Sequence, residues 1–529
     1  MNRIVLAVLG VFVCGELALA DTVTVDWTTA KKAIDPLAFG MDAPYSVTAF
    51  QDEDASYISG LKYMTGTSKG NTGLIRLHHW GMLSSWTTNG WWDATKVMRT
   101  IGPLKANGFT FVVNIPDGPS GQFSTIDTNR IGQFCPDLVK IINVDNKSKV
   151  KYFEVPNERD INAFPGMLDA VPLADLVKRC RAAMKNVDST VLVGGPAFGD
   201  APNLDLMLRF VRAVVPNIDF LSFHAYAVGG TPNAPDSAIY NSTQTKIARI
   251  VKTLRDTLSV LSPNKYIPIH CTEYNLTWDW NYVDARLHTN KMAVYVALVM
   301  IEMVRNGGDI TSIWNEKEPA FGMMSPSNQP YLPGQLFHLM NTYFMGEMAA
   351  STETNRNTVV AFASRDSSTR SLALINRSPV QQNVAFTLKG LPSDMVMTRH
   401  QIWTDGYPTP TTITVSDLSK GISLPDNSVT ILTGNIPVRV IERSGSAAGI
   451  GMKPGPVRLS VYTISGRLMG TLSAADGKTD LASLSKTIRF GFAKAIPSGV
   501  YIVVFHEGPF TRVQRMNYPA AELPGIFHP

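Results

Sequence analysis

The chain has few cysteines, few charged residues and no long cysteine-rich segment. It contains four cysteines in 529 residues, and charged residues make up 17% of the chain. Beyond residue 20 the cysteines are Cys135, Cys180 and Cys271, an odd number at wide spacing. This pattern excludes a small disulfide-stapled scaffold. One bridge plus a free thiol remains open, and three buried thiols are the favoured interpretation.

The sequence also lacks a basic run and a membrane-length apolar run. The formal net charge is +5, spread along the chain, so no nucleic acid partner is expected. After residue 20 no segment reaches the roughly 20 consecutive apolar residues of a membrane span. Hydrophobic residues make up 44% of the chain, as in a globular protein. At about 150 residues per domain, the length allows about three domains.

Residues 1–20 have the pattern of a secretory signal peptide. Arg3 precedes an apolar run over residues 4–13, and Ala18-Leu19-Ala20 forms a small-residue cleavage site before Asp21. We therefore expect the protein to be exported.

From about residue 36 to 345, short apolar or β-branched runs alternate with helical stretches. The segments 172–184 and 244–261 repeat apolar residues every three or four positions, as amphipathic helices do. Eight runs are predicted as strands: residues 37–42, 74–79, 109–115, 152–156, 191–195, 220–224, 267–273 and 310–314. Eight strand and helix units predict an α/β fold, a (β/α)8 TIM barrel. A doubly wound open sheet is the alternative.

The remainder of the chain reads as all-β. Alternating strands at residues 358–364, 371–376 and 384–389 predict an antiparallel β-sandwich, which the strand at residues 22–27 could complete. Four glycines and two prolines in residues 444–456 predict a linker. The predicted organisation is a signal peptide (1–20), a barrel whose N-terminal strand joins the sandwich (21–346), an accessory β-sandwich (347–443), the linker (444–456) and a small C-terminal all-β domain (457–529).

Reactive groups of a parallel barrel collect where its strands end. Polar residues end six of the predicted strands: Arg76, His78 and His79 on the second, Asn114 on the third, Asn157 and Glu158 on the fourth, His224 and Tyr226 on the sixth, Glu273 on the seventh, and Trp314, Asn315 and Glu316 on the eighth. Glu158 and Glu273 are therefore predicted to share one cleft. Glu154 lies on the same face as Glu158 but deeper, where it is predicted to pair with Arg76.

Two carboxylates in one cleft suit the cleavage of a glycosidic bond, in which one protonates the leaving oxygen and the other attacks the anomeric carbon. Asn157 could bond the sugar 2-hydroxyl, and Arg76 and Tyr226 could each bond the attacking carboxylate. Flat surfaces for sugar rings are offered by Trp80, Trp91, Trp92, Trp278, Trp280 and Trp314. No cofactor is expected. The pair His78-His79 has no third ligand nearby, so no metal is expected either.

These segments resemble the clan A retaining glycoside hydrolases, and most closely glycoside hydrolase family 39. The similarity rests on residues 74–82, on Glu154-Val155-Pro156-Asn157-Glu158, on residues 219–226 and on residues 272–275. Arg159 and Tyr274 stand where the family usually has proline and tryptophan. The resemblance implies Glu158 as acid/base and Glu273 as nucleophile, with His78, Asn157, His224 and Tyr226 around the sugar. It also implies xylosides or arabinosides, from plant or algal polysaccharides, as substrates.

The C-terminal segment resembles the sorting domains of type IX secretion. The matching stretches are residues 461–467 and 498–502. The resemblance implies that secretion machinery is a partner and that the protein is released from, or held on, a Gram-negative cell.

Two other functions fit the same residues. A non-catalytic carbohydrate-binding surface protein would bind a polysaccharide and produce no new reducing ends. A transglycosylase would pass the sugar to another sugar instead of to water.

Overall fold

The protein is described here by a computed structural model. It covers residues 21–79, 81–115, 128–161, 167–199, 203–317 and 320–436, together with the backbone of four strands between residues 457 and 518. The chain divides into two compact units. The larger unit holds the barrel and the accessory β-sandwich, and the smaller one contains the four C-terminal strands.

Eight parallel strands close into a barrel, which confirms the predicted fold class and all eight predicted strands. Their order around the barrel is β2-β3-β6-β7-β8-β9-β10-β11, returning to β2. The strand β1 lies outside it, and β4 and β5 form a short hairpin. The bounds are β1 (Asp21–Ala33), β2 (Phe39–Asp42), β3 (Gly73–Leu77), β4 (Thr87–Thr88), β5 (Trp91–Trp92), β6 (Phe109–Asn114), β7 (Tyr152–Glu154), β8 (Leu192–Phe198), β9 (Leu221–Tyr226), β10 (Ile269–Asn275) and β11 (Ile310–Ile313).

Helices surround the barrel and bury its outer face. Asp54, Asp93 and Asn203 cap α2, α4 and α7 by accepting first-turn N–H groups, which stabilises each helix by about 1 kcal/mol. The helix α10 is buried almost all round, as its continuous apolar sequence requires. The bounds are α1 (Pro44–Thr48), α2 (Ala55–Met64), α3 (Met82–Trp86), α4 (Ala94–Ala106), α5 (Thr128–Val139), α6 (Ala170–Val187), α7 (Leu204–Val214), α8 (Asp236–Ser242), α9 (Arg249–Leu261), α10 (Asn290–Arg305) and α11 (Leu332–Tyr343). A short twelfth helix, α12 (Val415–Leu418), belongs to the accessory β-sandwich.

Gly195 in β8 allows a close approach to the end of β7. Its φ is +146°, and a Cβ built on it would lie 2.1 Å from the carbonyl oxygen of Val155. No other residue type fits there without moving the backbone. Gly195 therefore helps to place the segment that carries Asn157 and Glu158.

The strands of the accessory β-sandwich form one continuous hydrogen-bonded sheet of nine strands, in the order β17-β16-β19-β14-β13-β12-β1-β15-β18. The strand β1 lies between β12, antiparallel, and β15, parallel. Tyr240 and Asn290 hydrogen-bond Asn427, and one hydrophobic core runs from the barrel into the sandwich. The bounds are β12 (Glu347–Glu353), β13 (Val359–Arg365), β14 (Thr369–Asn376), β15 (Gln382–Lys389), β16 (Val396–Ile402), β17 (Thr411–Thr414), β18 (Ile422–Leu424) and β19 (Ser428–Asn435).

The smaller unit contains an antiparallel sheet of four strands in the order β21-β20-β22-β23. They are β20 (Val457–Thr463), β21 (Leu468–Ala474), β22 (Gly499–Glu507) and β23 (Phe510–Tyr518). The predicted signal peptide and linker lie outside the described residues.

Cys135, Cys180 and Cys271 are buried free thiols, as the favoured interpretation predicted. In the described part of the chain, no helix combines the length and apolarity needed to cross a bilayer.

Candidate active site

A buried arginine organises the carboxyl ends of the barrel strands. The Arg76 side chain, on β3, is fully buried, and its Nε and Nη2 both lie 2.7 Å from Glu154 Oε2. Its Nη1 donates to Asp42 Oδ1 at 3.1 Å and to Glu273 Oε1 at 2.8 Å, and its Nη2 donates to Asn157 Oδ1 at 2.8 Å. A buried guanidinium needs such pairing to offset its lost hydration. The predicted pairing of Arg76 with Glu154 is confirmed.

Glu273, near the end of β10, is held at both oxygens. Arg76 occupies Oε1, and the Tyr226 hydroxyl donates to Oε2 at 2.8 Å. Burial, reinforced by the charge of Glu273, raises the pKa of Tyr226 well above its usual value, so this hydroxyl keeps its proton. The predicted contacts of Arg76 and Tyr226 with Glu273 are both present. They fix the carboxylate in one orientation.

His224, on β9, lies between the two candidate carboxylates. Its Nδ1 is 2.7 Å from Glu158 Oε1 and 3.4 Å from Glu273 Oε2. Burial lowers the pKa of His224, although Glu273 opposes that effect, so the ring is neutral at neutral pH. A neutral ring with its proton on Nδ1 can donate to either carboxylate. The structure thus brings Glu158, His224 and Glu273 together.

One oxygen of Glu158, one oxygen of Glu273 and one ring nitrogen of His224 all lie within 4.8 Å of one another. Donor types of this kind also bind divalent metals. Here, however, Glu273 accepts from Arg76 and Tyr226 while His224 Nδ1 contacts Glu158, so the atoms already bond protein partners. The arrangement fits a pair of catalytic carboxylates better than a ligand shell.

The backbone of Glu158 adopts a conformation that non-glycine residues rarely use. Its φ is +50°, and its N–H donates to the carbonyl of Ala197 at 3.0 Å. Such a conformation costs roughly 1–2 kcal/mol for a residue with a Cβ. A glycine at this position would avoid the cost. The presence of glutamate instead indicates that its carboxylate is needed there.

His78, Asn114 and Trp314 line the site next to the arginine network. The Asn114 Oδ1 contacts His78 Nδ1 at 2.9 Å, and its Nδ2 donates to Glu154 Oε2 at 2.8 Å. The ring of Trp314 lies 6.0 Å from that of His78. Burial lowers the pKa of His78 well below its usual value, so this ring is also neutral. Eight predicted site residues thus each hydrogen-bond at least one other of the eight: Arg76, His78, Asn114, Asn157, Glu158, His224, Tyr226 and Glu273.

The tryptophans predicted to offer surfaces for sugar rings fall into different environments. Trp92 stacks on Phe134 of α5 at 4.0 Å and donates its Nε1 to that residue's carbonyl. Trp91 donates to Asp137 of the same helix at 2.9 Å. The prediction for Trp92 is wrong, because this ring is core packing under α5. Trp278 and Trp280 are exposed, and Trp80 lies outside the described residues.

Two acidic residues of the site were missed by the sequence analysis. Asp42 ends β2 and bonds Arg76, and burial raises its pKa well above the usual value despite that arginine. Asp160 accepts from the N–H of Gly199 at 3.0 Å, and burial raises its pKa to about 6. Asp42 could have been found as the polar end of the first strand. No comparable signal marked Asp160.

Glu316, three residues beyond the eighth barrel strand, bonds residues other than the carboxylate pair. Its Oε1 accepts from the Tyr57 hydroxyl at 2.8 Å and from the Tyr45 N–H at 3.0 Å. Burial raises its pKa from an ordinary 4.5 to about 8. Glu316 is therefore protonated in the folded protein at neutral pH.

This proton makes stability depend on pH. Below pH 4.5 Glu316 is protonated in both states, whereas between pH 4.5 and about 8 only the unfolded chain has lost the proton. Unfolding then releases a proton, so rising pH lowers the free energy of unfolding by up to about 1.4 kcal/mol per pH unit. The side chain of Glu316→Gln cannot titrate. We therefore expect the melting temperature of this variant to rise relative to that of wild type as the pH increases from 5 to 8. A difference that stays constant with pH would contradict this assignment.

Comparisons with known proteins agree with this geometry. The model of glycosyl hydrolases family 39 matches residues 136–322, which include both candidate carboxylates. No relative was found among curated proteins. Among solved structures, a monomeric β-xylosidase from Caulobacter crescentus CB15 shares 16% identity at a TM-score of 0.59, covering 78% of this chain and 99% of its own.

Two further solved structures have a similar fold. An α-L-arabinofuranosidase from Thermotoga maritima shares 13% identity at a TM-score of 0.61, covering 79% of this chain and 100% of its own. A bifunctional glucanase-xylanase from a metagenome library shares 14% identity at a TM-score of 0.58, covering 79% of this chain and 99% of its own. The family match over the segment that carries Glu158 and Glu273 indicates that this chain is a glycoside hydrolase.

Proposed function

We propose that the protein is a retaining glycoside hydrolase in which Glu273 is the nucleophile and Glu158 is the acid/base. The observation that carries the proposal is the approach of the two carboxylates: one oxygen of Glu158 lies within 4.8 Å of one oxygen of Glu273. Retaining enzymes hold these groups about 5 to 5.5 Å apart, whereas inverting enzymes leave roughly 6.5 to 9.5 Å for a water molecule.

In the first step Glu273 attacks the anomeric carbon while Glu158 gives its proton to the glycosidic oxygen. The carbon–oxygen bond to the leaving group breaks, and an ester between the sugar and Glu273 forms. Arg76 and Tyr226 aim the attacking carboxylate before the substrate arrives. Asn157, held by Arg76, is placed to bond the sugar 2-hydroxyl, an interaction that strengthens in the transition state.

In the second step Glu158, now a carboxylate, takes a proton from water. The resulting hydroxide attacks the anomeric carbon and the ester bond to Glu273 breaks, so the configuration is retained. His224 contacts both carboxylates, so its ring N–H can hydrogen-bond whichever of them carries the negative charge in each step.

We further propose xylosides or arabinosides as substrates. Xylosidase and arabinofuranosidase are the activities named for two of the similar structures. Within the described residues, His78 Nε2, His224 Nε2 and Asp42 Oδ2 are buried and have no hydrogen-bond partner. Buried polar atoms of this kind are costly unless a ligand satisfies them. Sugar hydroxyls can both donate and accept there.

The function is tested by measuring new reducing ends. Wild type and the double variant Glu158→Gln, Glu273→Gln are incubated with nitrophenyl xylosides and arabinosides and with plant and algal polysaccharides. We expect release by the wild type alone. Saturable binding to a polysaccharide without release by either protein would favour the carbohydrate-binding alternative.

Export is a separate proposal, supported by the sequence of residues 1–20 and by the resemblance of the C-terminal segment to sorting domains. We propose that the protein leaves a Gram-negative cell by type IX secretion. The N-terminal sequence of protein recovered from the culture medium should then begin at Asp21. Full-length protein retained in the cytoplasm would contradict it.

A further inference from the structure

Two tryptophans are exposed at the end of β10, just beyond Glu273. Trp278 is 50% exposed and Trp280 is 38% exposed. Single exposed apolar residues are normal on protein surfaces, but two exposed indoles in the loop that follows the strand of Glu273 point to a ligand surface.

The loop that carries Trp278 is fixed to the loop after β9. The N–H of Val228 donates to Leu276 at 3.0 Å, and the Thr277 hydroxyl donates to the Gly229 carbonyl at 2.5 Å. Farther along, the Tyr282 hydroxyl donates to Asn233 at 2.9 Å. These bonds join the two loops into one wall.

Gly230 supports the indole of Trp278. A Cβ built on Gly230 would lie 2.9 Å from Cη2 and 3.0 Å from Cζ2 of that ring. The ring therefore lies against glycine backbone on one side while half of its surface stays open to solvent. A rigid aromatic ring binds a ligand with little loss of conformational entropy.

Trp280 connects this wall to the catalytic site. Its ring makes edge contacts with Trp314 at 6.2 Å and with Phe321 at 5.6 Å, and Trp314 in turn lies beside His78. These contacts cover part of the Trp280 ring. Among the described residues no other ring packs on Trp278, so its exposed indole has no comparable structural role.

We propose that Trp278 is a stacking platform for a second sugar residue of the substrate, outside the bond-cleaving subsite. Indole rings pack well on the apolar C–H face of a sugar. Asp279 and Asn281 hydrogen-bond each other on the same loop, and their remaining polar atoms can bond the hydroxyls of that sugar. This inference rests on the proposed function and adds that the enzyme acts on oligosaccharides in preference to single-sugar glycosides.

The test compares kcat/KM for a nitrophenyl glycoside with kcat/KM for oligosaccharides of two to six units of the same sugar. We expect Trp278→Ala to lower kcat/KM for the tetrasaccharide about tenfold more than for the nitrophenyl glycoside. Gly230→Ala should also lower the ratio of kcat/KM for the tetrasaccharide to kcat/KM for the nitrophenyl glycoside, because the added methyl group displaces the Trp278 ring. Trp278→Phe should retain part of the effect.

Val283→Ala is the matched control, since it removes an exposed apolar side chain from the same loop without removing a ring. It should leave the ratio at the wild-type value. Equal losses on both substrates, or no loss, would overturn the platform while hydrolysis of the nitrophenyl glycoside still upheld the proposed function. Absence of hydrolysis by wild type on every substrate would overturn both.

Discussion

Glu273→Gln is expected to lower kcat by on the order of 10⁴-fold or more with every substrate. The amide keeps the shape of the side chain and can still accept from Tyr226, but it cannot form the ester intermediate. Arg76 keeps its contacts with Glu154 and Asp42, so the arginine is not left unpaired. The melting temperature should therefore change far less than the activity. Steady-state kinetics and thermal unfolding on the same preparation measure both.

Glu316→Gln is the matched control for this experiment. It replaces another buried glutamate at the end of a barrel strand, one that bonds Tyr57 and not the carboxylate pair. We expect it to retain most of the wild-type activity. Near-wild-type turnover by Glu273→Gln would show that the nucleophile is a different residue.

Glu158→Ala is expected to have an effect that depends on the leaving group. Loss of a general acid typically lowers the rate 10²- to 10⁴-fold when the leaving oxygen needs a proton. A dinitrophenyl glycoside needs no proton, so its first step should remain fast and the ester with Glu273 should accumulate. The second step then lacks a general base.

Azide separates the two roles, because it attacks the ester without needing a base. Adding azide to Glu158→Ala should raise turnover of the dinitrophenyl glycoside and yield a glycosyl azide of retained configuration, as read by NMR. Rescue of Glu273→Ala with an azide product of inverted configuration is also expected. If instead Glu158→Ala gave the inverted product, the roles of the two glutamates would be exchanged.

The barrel could be predicted from the sequence because buried parallel strands leave a strong local pattern. Residues 73–77 are apolar except at Arg76, and all five are buried. Alternation along the strand also placed Glu154 and Glu158 on one face, and Glu154 does pair with Arg76. The local sequence pattern was sufficient to place a side chain wherever its position in a strand decides which face of the sheet it lies on.

Residues outside the strands were harder to place. Trp92 seemed available to a sugar, but its ring stacks on Phe134, a contact between segments 42 residues apart that no local pattern reveals. Asp160 belongs to the site because the left-handed turn at Glu158 and the bond from Gly199 bring it there. Such positions depend on how loops meet, and the sequence alone does not specify that.

The double-displacement mechanism is tested most directly by trapping its intermediate. A 2-deoxy-2-fluoro glycoside with a good leaving group, made from the sugar identified in the reducing-end screen, slows the second step more than the release of the leaving group. Mass spectrometry of the digested protein should then show one fluoroglycosyl group on the peptide that contains Glu273. Attachment to a different residue, or turnover with inverted configuration and no attachment, would contradict the account.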